Sequence, residues 1–203
     1  MNLCYNHITT RRGAVIMYDK LVPGTVMPYT DVAGGMFSVF RPMITATDGL
    51  TLGQVSALTG LEYSTVQNWV KRGFVAHPVQ KKYYERQLAR ILLIAALRDC
   101  LKIEQIAALL SAVNGDVEDA GDDIISESRL YDYLCEAVRL LDVDRLSADK
   151  VDAAVAQVTA DYVGPDATAK ERLSTALRVM VLAFMAGCLA REATLRLAAL
   201  QNT

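Results

Sequence analysis

Ser64, Thr65, Gln67, Asn68, Lys71 and Arg72 crowd one short stretch of the chain, and Lys81 and Lys82 follow it closely. Hydroxyls and cations suit phosphate oxygens, amides pair with adenine edges, and a guanidinium pairs with guanine. This is the chemistry of recognition: no nucleophile, base and orienting acid stand together to turn a substrate over. At 100° per residue, Ser64, Asn68, Lys71 and Arg72 share one side of a helix, with Thr65 and Gln67 at its margins. Val66, Trp69, Val70 and Gly73 fall on the opposite side. A solvated helix face usually mixes both signs, whereas this outer face brings no carboxylate of its own. Trp69 could stack on a base, but a single Trp among apolar neighbours reads as core.

Two helices must position these groups. Thr51 with Gln54, and Ser64 with Gln67, have the spacing of capping boxes, in which a hydroxyl accepts a first-turn N–H and the amide reaches back. The spacing predicts helices over Leu52–Thr59 and Thr65–Arg72, with Gly60 in the turn between them and Gly73 ending the second. Two short helices joined through a glycine turn form a helix-turn-helix pattern. Leu52, Val55, Leu58 and Leu61 complete a small apolar cluster with Val66, Trp69 and Val70.

The blocks TLGQVSALTGL, STVQNWVKRGFV and KKYYERQLARI resemble the MerR-like winged helix-turn-helix superfamily. Thr65, Val66, Trp69, Gly73, Phe74, Lys82 and Tyr83 stand where its recognition helix and wing carry their signals. VQNWVKRGFV, ARILLIAALRDCLKIEQIAALLSAVNG and DDIISESRLYDYL are together similar to the bacterial domain-of-unknown-function 1836 family, over Gly49–Leu134. The resemblance implies a MerR-like DNA-binding fold and carries no activity over. Gln67 and Asn68 depart from the Arg and Tyr that MerR-type regulators often carry there, and the wing between Val75 and Lys82 is short.

The chain has 203 residues, 52% of them hydrophobic, and a net charge of −2, so it is no polycation that would hold nucleic acid indiscriminately. The cations Lys71, Arg72, Lys81, Lys82, Arg86 and Arg90 outnumber Glu62 and Glu85 between Leu50 and Arg90, and acids dominate from Asp116 onward. A basic module followed by an acidic one suits DNA binding by the first. No C-x-x-C is present, and Cys4, Cys100, Cys135 and Cys188 are far apart, which argues against zinc; the last three read as buried thiols. No secretory signal is visible, and the longest apolar run, Val179–Ala190, falls short of the roughly 20 residues of a membrane span. A cytoplasmic protein without membrane contact is expected.

Met1–Gly49 reads as an irregular N-terminal segment, with Met1–Arg12 mobile and Met27, Met36, Phe37, Val39 and Phe40 available to pack on the body. Helices are predicted over Tyr84–Leu101, with Arg86, Arg90 and Arg98 off its apolar stripe, and over Ile103–Val113, stopped by Asn114–Gly115. Asp116–Asp123 is an acidic loop. Asp116, Glu118, Gly121 and Glu127 fit four positions of a calcium loop, but Ala120 takes a ligand position, so the stretch reads as a solvated linker. Ser128 should cap Arg129–Leu141, with one of Tyr131 and Tyr133 buried and the other half-exposed. Ser147 should open a helix to Val163, and Thr168 with Glu171 a last one to about Leu200. Its Val179–Ala190 segment is apolar nearly all round and needs enclosure by neighbours or a second subunit.

The expectation is an all-α chain: an N-terminal segment (1–49), a MerR-like winged helix-turn-helix domain (50–115) and a C-terminal helical bundle (116–203). Its function would be that of a DNA-binding transcriptional regulator, reading the major groove through 65–72. Double-stranded DNA, a homodimer partner and an unknown small-molecule or protein effector are its expected partners, with no cofactor, no metal and no catalysis. The alternative is a helical protein-interaction module that has the winged-helix shape without using it on DNA.

Overall fold

Residues Gln87 to Leu97 have no solvent side, and the helix they belong to, α4 (Glu85–Leu97), is buried along all of them. It is the axis of the fold. A computed structural model describes residues 21–29, 34–119 and 121–201. Among these stand eight α-helices and one two-stranded sheet, so the fold is all-α. Before α4 come α1 (Arg41–Ala46), β1 (Leu50–Thr51), α2 (Leu52–Thr59), α3 (Tyr63–Lys71) and β2 (Lys82–Tyr83). After it come α5 (Ile103–Asn114), α6 (Glu127–Arg139), α7 (Ala148–Val158) and α8 (Ala169–Gln201). Helix α4 packs against α2, α5, α6 and α8, and one continuous core of buried side chains runs through all of them.

The Thr51 capping box forms as its spacing predicts: Gln54 N–H donates to Thr51 Oγ1 and Thr51 N–H to Gln54 Oε1. Helix α2 ends at Gly60, φ 70°. The Ser64 box does not form. Helix α3 begins at Tyr63 behind Glu62, which leaves Ser64 inside the first turn. At its other end Phe74 N–H donates to Trp69 O and Gly73 N–H to Val70 O, a Schellman closure that needs the φ of 73° Gly73 supplies. Strand β2 pairs antiparallel with β1, Leu50 opposite Tyr83 and Thr51 opposite Lys82. Val79 and Lys82 exchange both backbone hydrogen bonds, and Gln80 and Lys81 between them have φ of 49° and 64°. This is the two-residue hairpin turn with both central residues left-handed.

The described part of the N-terminal segment, 21–29 and 34–49, is more ordered than its composition implies. Met36–Val39 forms a 3-10 turn leading into α1; Met36, Phe37 and Phe40 are buried and Met27 and Val39 partly so. Phe37, Phe40 and Tyr131 form an aromatic trio, and Tyr131 Oη donates to Pro23 O. Gly24 passes so close to the carbonyl of Leu92 that any Cβ there would collide with it. The reading of Met1–Arg12 lies outside the described residues.

Several boundaries move for local reasons. Helix α4 ends at Leu97, and the chain turns tightly there as Cys100 and Leu101 N–H both donate to Leu97 O; Cys100 is consequently exposed, unlike buried Cys135 and Cys188. Ser126, rather than Ser128, caps α6, because Glu127 is already helical and buried. Tyr131 and Tyr133 are both buried. Helix α7 stops at Val158 rather than Val163: Thr159 turns its hydroxyl back onto Val155 O, and Tyr162 leaves to donate to Ile124 O.

The acidic stretch is not a loose linker. Asp122 and Asp116 carboxylates accept from the N–H groups of Asp116 and Glu118. Arg86 donates to the carbonyls of Asp116 and Asp119 and lies 3.6 Å from Asp123 Oδ1. Burial pushes the Asp123 carboxyl above the usual range, against the pull of Arg86.

Candidate nucleic-acid interface

Val66, Trp69 and Val70 anchor α3 in the core, and this lifts its other face outward. Ser64, Gln67, Asn68, Lys71 and Arg72 are exposed and Thr65 is half-buried; Lys81 sits exposed at the hairpin tip. Trp69 is core, which leaves it unable to stack on a base.

The face is not free of acid. Helical geometry computed on α3 sees only the side chains of α3, and α5 adds Glu104, whose Oε1 lies 2.7 Å from Arg72 NH2. The Glu104 carboxyl is held below its usual range by its own N–H in the first turn of α5 and by Arg72. The Arg72 guanidinium also stacks on the Phe74 ring, 4.6 Å from its centroid. Lys82 is diverted too. Its ammonium donates to the carbonyls of Thr47 and Gly49, where it closes the end of α1. His77 meets Glu118 of the acidic stretch at 3.2 Å. Lys71 and Lys81 are thus the exposed cations of this surface that no ion pair among the described residues engages.

Sequence reasoning placed Arg90 off the apolar stripe of α4. It is instead buried, because it finds two partners. Its Nε donates to Phe74 O just past α3, and its NH1 meets Glu127 Oε1 at 2.5 Å at the start of α6. Burial raises the Glu127 carboxyl, and Arg90 counteracts it. Arg90 NH2 and Glu127 Oε2 make no hydrogen bond. Asp132 was missed as well. Its Oδ1 accepts Phe37 N–H at 2.6 Å, and burial moves its carboxyl to about 6. An acid between two tyrosines on an otherwise apolar helix face was the available signal.

Beyond α6 lies a cavity of about 400 Å³. Arg129, Glu136, Arg139, Gln157 and Asp161 line it with Tyr29, Met36 and Leu140. Its volume falls within the range of small-molecule pockets.

Residues 46–134 match the family described as Domain of unknown function (DUF1836). That range agrees with the resemblance read over Gly49–Leu134, and it holds both partners of the buried pair, Arg90 and Glu127. The chain is also similar to the uncharacterized protein YkrK of Bacillus subtilis (strain 168), 30% identical over 115 residues, which are 53% of this chain and 49% of that protein. The chain therefore spans about half the length of this curated relative. No solved structure matches it. Among the described residues no group of three or more His, Cys, Asp or Glu could hold a metal ion.

Proposed function

We propose that the protein is a DNA-binding regulator of winged helix-turn-helix type, with α3 as the major-groove helix and the Val79–Lys82 hairpin as a short wing. The observation that carries this reading is the outward face of α3: Ser64, Gln67, Asn68 and Lys71 stand exposed above a buried Val66, Trp69 and Val70. Gln67 and Asn68 would read base edges, while Ser64, Lys71 and Lys81 would meet phosphates. Arg72 would join them by exchanging Glu104 for a phosphate. Thr65 lies at the margin, and Lys82 acts by holding the wing against α1.

The cavity beside α6 is the place where a small-molecule effector would act in this reading. One observation favours the alternative of a protein-interaction module: Arg72 and Lys82 already spend their charge inside the chain. Fluorescence anisotropy on duplexes selected from a random pool separates the two. A DNA binder loses affinity steeply with salt, by about 0.9 in the log–log slope per phosphate neutralised. Lys71→Ala and Lys81→Ala should each flatten that slope by about one. Absence of salt-dependent binding to any duplex would leave the interaction module.

A further inference from the structure

The bases that a groove-reading helix meets are chosen by the side chains it leaves free, and α3 leaves amides. At 100° per residue, Tyr63, Gln67, Lys71, Ser64 and Asn68 follow one another around an arc of about 140°. All five are exposed. Glu62, just before the first turn, falls on the opposite side with Val66 and Trp69.

The cations that would pair with guanine are withdrawn from the middle of this arc. Arg72 lies beyond its edge, held by Glu104 at 2.7 Å and by the Phe74 ring. Lys82 is spent on the carbonyls of Thr47 and Gly49. Lys71 ends the helix, whereas base edges are met by the N-terminal part of a recognition helix. The amides are the reverse case. Gln54, Gln87 and Gln105 each accept the N–H that opens their own helix. Gln67 and Asn68 stand in mid-helix, and their side chains make no hydrogen bond among the described residues. An amide holds a donor and an acceptor side by side, and adenine answers both, with N7 and N6–H, in the major groove.

Tyr63 favours the same base pair. Its Oη lies 3.0 Å from where a Cβ on Gly53 would stand, so the ring leans on the first turn of α2, yet the residue is 53% exposed. It precedes Gln67 by four residues and shares its side of the helix. An exposed, braced ring there offers the apolar contact that a thymine methyl takes. With α3 as the major-groove helix, on which this rests, we infer that it reads A·T pairs. Gln67 and Asn68 each take an adenine, and the Tyr63 ring meets the methyl of a thymine next to the adenine of Gln67.

The test is selection of duplexes from a random pool by the full chain, followed by base analogues placed in the selected site and read by fluorescence anisotropy. Two A·T pairs are expected at fixed positions of the site. 7-Deazaadenine lacks the N7 acceptor but still pairs with thymine; at either position it should weaken binding about 5- to 150-fold, the range of a bidentate base contact. That loss should vanish at one position in Gln67→Ala and at the other in Asn68→Ala. Deoxyuridine in place of thymine removes the methyl alone; it should weaken the parent severalfold and leave Tyr63→Ala unaffected. All three changes fall on exposed residues, and unchanged melting curves verify that each variant folds. Selected sites of G·C pairs that weaken with 7-deazaguanine, salt-dependent binding without base preference, or deazaadenine losses that persist in both alanine variants overturn the inference and leave the DNA reading in place. Absence of salt-dependent binding to any duplex overturns both.

Discussion

Breaking the Arg90–Glu127 pair one side at a time tests the link between α3 and the second half of the chain. Both side chains are almost fully buried, so removing either leaves a charge in low dielectric without its hydrogen-bonded partner. Arg90→Met and Glu127→Leu should each cost about 3–5 kcal/mol. The double variant should lie within about 2 kcal/mol of the parent, because an apolar pair of similar size avoids both desolvation penalties. The remaining cost is that of Phe74 O, which loses the Arg90 Nε–H donor. The coupling read from the cycle is then on the order of 4 kcal/mol or more. Urea denaturation followed by Trp69, the single tryptophan, measures all four proteins. Acidity adds a second reading. Without Arg90 the Glu127 carboxyl rises further above its unfolded value, so the stability lost with Arg90→Met should shrink as pH falls from 7.5 towards 5, by up to about 1.4 kcal/mol per unit. Single variants within about 1 kcal/mol of the parent, or strict additivity in the double variant, would refute the assignment of a coupled buried pair.

Other outcomes follow from the same geometry. Trp69→Ala should cost about 3–5 kcal/mol of stability, as truncating a packed aromatic does, and a parent-like melt would make Trp69 a contact residue instead. Asp132→Asn keeps an acceptor for Phe37 N–H while removing a buried charge. Because the Asp132 carboxyl stands at about 6 in the fold against 3.8 unfolded, its contribution is complete below 3.8 and lost as pH rises through 6. The variant should therefore gain on the parent by about 2–3 kcal/mol between pH 4 and 7.5, and parallel pH curves would contradict this. Glu104→Gln should tighten DNA binding severalfold by releasing Arg72 and removing a nearby negative charge; weaker or unchanged binding beside an impaired Arg72→Ala speaks against that role. Lys82→Ala should lower the melting temperature, whereas Lys81→Ala should leave it in place, and the reverse order would overturn the distinction between them.

Local signals were legible where one stretch of chain contained both partners. The Thr51–Gln54 box, the Gly60 turn and the inward set of Val66, Trp69 and Val70 all depend on residues within a few positions of one another. The same reading failed where a distant element supplied the partner. Arg90 looked like an exposed cation until Phe74 O and Glu127 came to meet it, and Arg72 looked unopposed until α5 delivered Glu104. Ser64 misled for another reason: a capping box is a spacing, and α3 had already begun at Tyr63. The acidic stretch resembled a linker because its carboxylates turn back onto its own backbone and its carbonyls onto Arg86, contacts that leave no periodicity in sequence.

These distant partners also bear on how far the face of α3 can be separated from the rest. Helix α4 has no solvent side, and α6 and α8 cover what α2 and α5 do not. A fragment ending after α5 would strip α6 and α8 from α4 and leave Arg90 charged beside a missing Glu127. The carbonyl that Arg90 holds belongs to Phe74, whose ring carries Arg72. A series of contacts thus runs from the Glu127 carboxylate at the start of α6 through Arg90 and Phe74 to Arg72. A ligand in the cavity beside α6 therefore acts on a helix that packs against the same α4. Arg90 offers one route from that cavity to the face of α3, and in the Arg90→Met, Glu127→Leu double variant, close to parent stability, the part of any influence on DNA affinity that uses it should be lost while folding is kept.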